Sequence, residues 1–223
     1  MNQHIVKAYD EELETLHRLI HQMGELTLEQ IQKAMDSLVG RDEKLAHGVI
    51  EHDYEINHLE TRIDELSIRI LALRQPVASD LRTVVAALKI ANQVERIADY
   101  ASNIAKRTLM LTDYPPSLLM EDLSSLVKKP TEMLKKALLA FATYDVNLAL
   151  RVWHMDREVD EQYNAYLLQL FDIMIASPQN ISPSTHLLFA AKNIERIGDQ
   201  SSNIAEAVYT MVMGKPFKES ELS

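Results

Sequence analysis

The sequence predicts an all-α protein built as a tandem repeat of two antiparallel three-helix bundles, and three observations predict it. Apolar residues recur at steps of three or four along most of the chain, the spacing of one helix face. Only five Gly and seven Pro interrupt 223 residues, and Ala, Leu, Ile and Met dominate the apolar set, which favours long helices over strands. The chain also repeats itself. Residues 91–105, "ANQVERIADYASNIA", and 191–205, "AKNIERIGDQSSNIA", are identical at nine of fifteen positions, where composition alone gives about one.

The elements follow in order. A first helix carries the stripe Leu13, Leu16, Ile20, Met23, Ile31, Ala34 and Leu38. Gly40 suits its C-terminal cap and Asp42 the next N-cap. A second helix carries Val49, Ile56, Leu59, Ile63, Leu66, Ile70 and Leu73, and breaks at "RQPVASD", where Pro76 lacks a donor and restricts Gln75. A third carries Leu81, Val84, Leu88, Ala91, Ala98, Ser102 and Ala105. "TDYPPS", Thr112 to Ser117, reads as the linker, dividing the chain into repeats 1–112 and 113–223. Three further helices are expected at about 118–142, 146–175 and 184–213, with a kink or a displaced start at Pro130. "SPQNISP" separates the last two, with Ser182 as N-cap and Pro183 in the first helical position. Upstream of the last helix the repeat register is 103: Ala34 matches Ala137, Asp42 Asp145, Leu45 Leu148, Asp53 Asp156 and Glu55 Glu158.

Composition excludes several functions. A net charge of −10 argues against nucleic acid, which needs a basic surface to displace counterions. With no Cys, disulfides and thiolate metal sites are out. No uncharged apolar run approaches the roughly 18 to 20 residues of a membrane span, and the first residues lack a secretory signal, so a cytoplasmic protein is expected.

The chemistry sits in the repeat. Residues four apart on a helix lie one turn apart on one face, about 6 Å along the axis. Glu95 and Asp99 therefore project together, as do Glu195 and Asp199, among Ala, Gly and Ser residues that leave room for close approach. On the helix before, Asp156 and Asp160 form a second pair, and Asp53 and Asn57 its counterpart with one carboxylate lost. Two neighbouring helices with two oxygen donors each can surround a hard or borderline cation, which removes the like-charge penalty. The plainer reading is a solvated acidic face; Arg96 and Arg196, about 100° round the helix, are poor local partners. Glu14 with His17, and Glu55 with His58, have the Glu-x-x-His spacing of carboxylate-bridged iron bundles, but fall beside or across from the apolar stripes and read as solvent residues. Trp153 and Met155 read as packing residues.

The carboxylate helices, the repeat and "RQPVASDLR" (Arg74 to Arg82) together resemble the PhoU family of phosphate-transport accessory regulators, over essentially the whole chain. The family's E(D)-x-x-x-D motif matches Glu95 to Asp99 and Glu195 to Asp199, with Asp156 to Asp160 and the degraded Asp53 to Asn57 beside them; Ala98 stands where Gly198 stands in the second repeat. The resemblance implies a PhoU-like fold and a non-enzymatic regulator of phosphate homeostasis. Such a protein restrains high-affinity phosphate uptake and represses the phosphate-starvation response, through the ABC transporter's ATPase subunit and a phosphate-sensing histidine kinase. It also implies Fe, Zn, Mn or Mg at these carboxylates, a homodimer, and membrane contact only through partners. A carboxylate-bridged metal enzyme or metal-storage bundle is the alternative, and a plain helical scaffold the third reading.

Overall fold

The computed structural model describes residues 2–114 and 119–218. Seven α-helices follow one another: α1 Asn2–Gly40, α2 Glu43–Arg74, α3 Ala78–Leu111, α4 Met120–Leu126, α5 Lys128–Thr143, α6 Val146–Ala176 and α7 Ile181–Met213, with a single 3-10 turn at Pro178–Asn180 before the last. With α4 and α5 acting as one broken helix, they form two three-helix bundles, α1–α3 and α4–α7. No helix among the described residues is long and apolar enough to cross a membrane.

The bundles share a spine. Arg107, near the end of α3, lies over Phe189 near the start of α7, while Arg82 at the start of α3 donates to the carbonyl of Met211 at the end of α7 (2.8 Å). The two helices therefore run antiparallel and cross near Ala98 and Gly198. Small residues recur along both helices: Ala87, Ala91, Ala98, Ala101 and Ala105 on α3, and Ala190, Ala191, Ser201 and Ala205 on α7, are all buried. Ile90, Ile97, Ile104, Ile194, Ile197 and Ile204 fill the core around them, each fully excluded from water.

The hairpin turns are built alike in both repeats. Asp42 and Asp145 cap α2 and α6, accepting from the amides of Leu45 (2.9 Å) and Leu148 (3.0 Å). The left-handed residue before each cap is Arg41 (φ 54°) and Tyr144 (φ 55°), so Gly40 does not cap α1 as expected but closes its last turn. Arg41 tolerates this conformation because its guanidinium is tied to the carbonyls of Leu111 (2.8 Å) and Tyr114. Pro115 to Ser117 of the expected linker lie outside the described residues, as does residue 118 of the expected fourth helix.

The kink or displaced start expected at Pro130 is present, and two other expectations, at Ser182 and at Leu73 and Leu81, are corrected. Pro130 splits the expected fourth helix into α4 and α5; it is the third residue of α5, where its missing N–H leaves no helical bond unmade. Ser182 is not an N-cap: α7 begins one residue earlier, Pro183 is its third residue, and the Ser182 hydroxyl meets the Tyr114 hydroxyl at 2.8 Å. Leu73 and Leu81, placed on apolar stripes, are 69% and 41% exposed; they lie at the end of α2 and the start of α3, either side of the turn at Pro76.

His17 is also not a solvent residue. It stacks on Phe141 of α5 (centroids 4.7 Å apart) and its Nε2 meets the Tyr144 hydroxyl at 3.0 Å, joining α1 to α5 across the repeats. Burial lowers its pKa, which keeps the ring neutral. Trp153 does pack, against Phe217 at 5.3 Å.

Candidate metal centre

The hairpin of α6 and α7 sets Asp160, Glu195 and Asp199 together, each offering a carboxylate oxygen within 4.8 Å of the others. Glu195 is the buried member, 8% exposed, because it lies on the apolar stripe of α7 between Ala191 and Gly198. Its Oε1 takes the Lys192 ammonium at 2.5 Å, while its Oε2 is buried with no hydrogen-bond partner. A buried carboxylate oxygen left unpaired is costly, so this atom is one that a bound cation could satisfy.

Asp156 stands behind this trio against the α7 backbone. A Cβ on Gly198 would lie 3.6 Å from Asp156 Oδ1 and 3.3 Å from Val159 Cγ1, so glycine at 198 gives α6 its closest approach at the acidic face. Burial, then the charges of Asp160, Glu195 and Glu206, raise the Asp156 pKa; the nearby Ser202 hydroxyl pulls the other way without reaching hydrogen-bond geometry. Asp199 is pushed up to about 6 by burial and by Glu195 and Asp156. Burial pulls the Lys192 ammonium down, but the bond and charge of Glu195 more than offset this, and it ends above the ordinary lysine value. This lysine, resting over the Tyr163 ring at 5.3 Å, thus answers to two carboxylates, Glu195 and Asp199.

The first repeat handles the same residues differently. Gln30 of α1 donates to Asp53 Oδ1 (2.8 Å) and to Ser102 Oγ (3.0 Å), and Ser102 in turn donates to Asp53 (3.1 Å). Asp53 is thereby solvated by neutral donors. Gln30's counterpart is the buried Met133, which donates nothing, and Ser102's counterpart Ser202 has a buried hydroxyl without a partner. Glu95 is raised by burial and by Asp99, Glu60 and Asp53, and Asp99 by burial and Asp53, so like charge accumulates here too. Asn57 is exposed, and among the described residues no three-carboxylate group forms in this repeat.

Four participants escape a search for pairs at i, i+4. Glu60 lies seven residues after Asp53, two turns along the same face, a spacing the sequence displays. Lys192, at i−3 from Glu195, is equally visible as a local counter-ion. Tyr163, seven residues after Asp156, holds the position of Glu60 in the second repeat, and Gln30 alone carries no local signal, since a neighbouring helix brings it in.

An acidic face on each half of a duplicated all-helical spine, one half with an orphaned carboxylate oxygen, defines a helical repeat protein with a candidate cation centre. A profile of the PhoU domain matches residues 20–108 and 123–208. The phosphate-specific transport system accessory protein PhoU homolog of Caulobacter vibrioides is 42% identical over 216 residues, covering 96% of this chain and 94% of that protein. PhoU of Serratia marcescens is 37% identical over 215 residues, covering 96% and 88%. The crystal structure of PhoU from Pseudomonas aeruginosa superposes with a TM-score of 0.86 at 38% identity, over 93% of this chain and all of that one. PhoU from Streptococcus pneumoniae gives 0.88 at 28% identity, over 94% and 99%. The chain belongs to the PhoU family.

Proposed function

We propose that this chain is a non-enzymatic regulator of phosphate homeostasis, restraining high-affinity phosphate uptake and repressing the phosphate-starvation response. It acts through the transporter's ATPase subunit and a phosphate-sensing histidine kinase, as a homodimer of two repeats, 1–112 and 113–223. The observation that carries this reading is full-length similarity to accessory proteins of phosphate-specific transport, at 42% identity over 96% of the chain. Co-purification from phosphate-rich cells tests it: the chain is expected to bring down the ATPase subunit, and a chain that brings down neither ATPase nor kinase refutes the assignment.

In this reading Asp160, Glu195, Asp199 and Asp156 hold Fe, Zn, Mn or Mg. Carboxylate oxygens suit these cations, and the partnerless Glu195 Oε2 supports one there. Glu95, Asp99, Asp53 and Asn57 form the weaker face, because Gln30 and Ser102 already satisfy Asp53 and Asn57 offers no charge. The alternative of a metal enzyme or storage bundle loses ground at His17, whose ring is committed to Phe141 and Tyr144.

Two substitutions bear on the metal. Lys192→Met removes the tethered competitor for Glu195 Oε1 and is expected to tighten metal binding about tenfold, read by competition with a chelating dye. Unchanged affinity would mean that the ion does not bind at Glu195. Gln30→Met with Asn57→Asp gives the first repeat the second repeat's residues. It is expected to double the metal bound per chain, read by elemental mass spectrometry; an unchanged count would refute the role given to Gln30.

A further inference from the structure

The repeats also diverge away from their acidic faces, between their first two helices. The comparison is secure position by position: Arg41 and Tyr144 share a left-handed turn, Asp42 and Asp145 share a cap, and the Glu29–Lys33 ion pair (2.7 Å) matches Glu132–Lys136 (2.6 Å). In the second repeat the groove between α5 and α6 is occupied by the protein's own side chains. Lys129 forms an ion pair with Glu158, and Met155 lies against Lys136, sulfur to ammonium 3.8 Å.

The first repeat keeps the glutamate, as Glu55, but replaces what surrounds it. Leu26 stands at the position of Lys129, Gly48 at that of Arg151 and His52 at that of Met155. A cavity of about 400 Å³ results between α1 and α2, a size typical of small-molecule sites. Leu26, Leu45, Val49 and Ile56 form its apolar wall and Glu55 stands on its rim. Space continues at Gly48, where an added Cβ would meet nothing within 4 Å. The nearby Lys33 is held by Glu29, and His52 turns its Nδ1 to the Gly48 carbonyl at 2.6 Å. Among the described residues, half-buried Glu55 takes a 3.5 Å contact from the adjacent Tyr54 hydroxyl and no ion pair.

The first repeat thus has a carboxylate whose twin takes a lysine ammonium, and an apolar cavity beside that carboxylate, walled by the leucine that replaces the lysine. We propose that this cavity binds a small aliphatic primary amine, its ammonium on Glu55 and its hydrocarbon chain along Leu26 and Val49. Such a ligand supplies in trans what Lys129 supplies in cis. The exposed rim makes the ion pair weak, so burial of the alkyl chain must carry much of the binding and a charged but short amine will bind poorly.

The test is an amide NMR titration of the full chain with n-pentylamine, beside its neutral analogue n-pentanol. Saturable shifts are expected at Gly48, His52 and Glu55, with n-pentanol about tenfold weaker, and Glu55→Gln is expected to erase that preference. Leu26→Lys should abolish the response by tethering an ammonium in place. Gly48→Arg, on an open surface where the other repeat already carries Arg151, should abolish it by filling the cavity and serves if Leu26→Lys fails to fold. Equal response to n-pentanol, an unaltered preference in Glu55→Gln, shifts confined to the Asp160–Glu195–Asp199 cluster, or no saturable shift at all would each overturn the proposal.

Discussion

At neutral pH, a saturating divalent cation raises the melting temperature of the wild-type chain by about 5–10 °C and leaves the Glu195→Gln/Asp199→Asn variant where it was. A ligand that binds only the folded state, present at a hundred times its dissociation constant, stabilises by about 2.7 kcal/mol, and a chain of this length gains about 2–4 °C per kcal/mol. The unfolded chain cannot compete, because Asp160 and the Glu195–Asp199 pair meet only when α6 packs on α7. Without metal the order reverses: the variant melts above the wild type, since it no longer crowds carboxylates around a buried oxygen that nothing satisfies. Scanning calorimetry on chelated and metal-loaded samples checks both halves. A variant that melts well below the chelated wild type would assign these carboxylates to structure, and equal metal shifts in both proteins would move the ion elsewhere.

Metal-free wild type, measured against Asp199→Asn, gains stability as the pH falls from about 7.5 towards 4.5. The folded-state pKa of Asp199 is about 6, above its ordinary value of 3.8, so its protonated form is favoured by folding. That contribution is complete below the ordinary value and is lost as pH rises through about 6. The separation of the two values sets a ceiling of about 3 kcal/mol, and solvent at the rim brings this to on the order of 2. Comparison with the variant matters because His17 and His186, both lowered by burial, work in the opposite direction and destabilise the fold as they are forced to charge below their ordinary range. Bound metal inverts the profile, since protons then compete with the ion for the same oxygens. Urea midpoints across this range test the sign: a flat difference between the two proteins would show that Asp199 titrates normally.

The fold was legible because its determinants are local and repeated. Stripes at helical spacing place Leu16, Ile63 and Val84 in the core, and each is fully buried. Asp42 and Asp145 announce their caps through identical offsets to the helices they start. Errors collected where a distant group decides. Arg41 holds a conformation that favours glycine because carbonyls seventy residues away fix its guanidinium. Ser182 left its expected cap to meet Tyr114, and His17 was drawn into the seam between the bundles. At the acidic faces, spacing within one helix supplied Glu195 and Asp199, and the hairpin supplied Asp160. Asn57 announced the weaker first half; the rest of the difference was not legible, since it rests on Gln30, whose amide reaches Asp53, and on Met133, which is buried in its place.

The antiparallel run of α3 and α7, equivalent helices of the two repeats, gives the molecule two related flanks. A perfect copy on each side would have no front or back, and a partner reading shape alone would dock in either of two orientations. The amide lock at Asp53 and the open carboxylates at Glu195 add a difference of charge to whatever difference of shape the halves have. The chain is therefore a directional object cut from a symmetric template: one flank is fixed in its charge, the other adjustable, and a partner can tell which it has grasped.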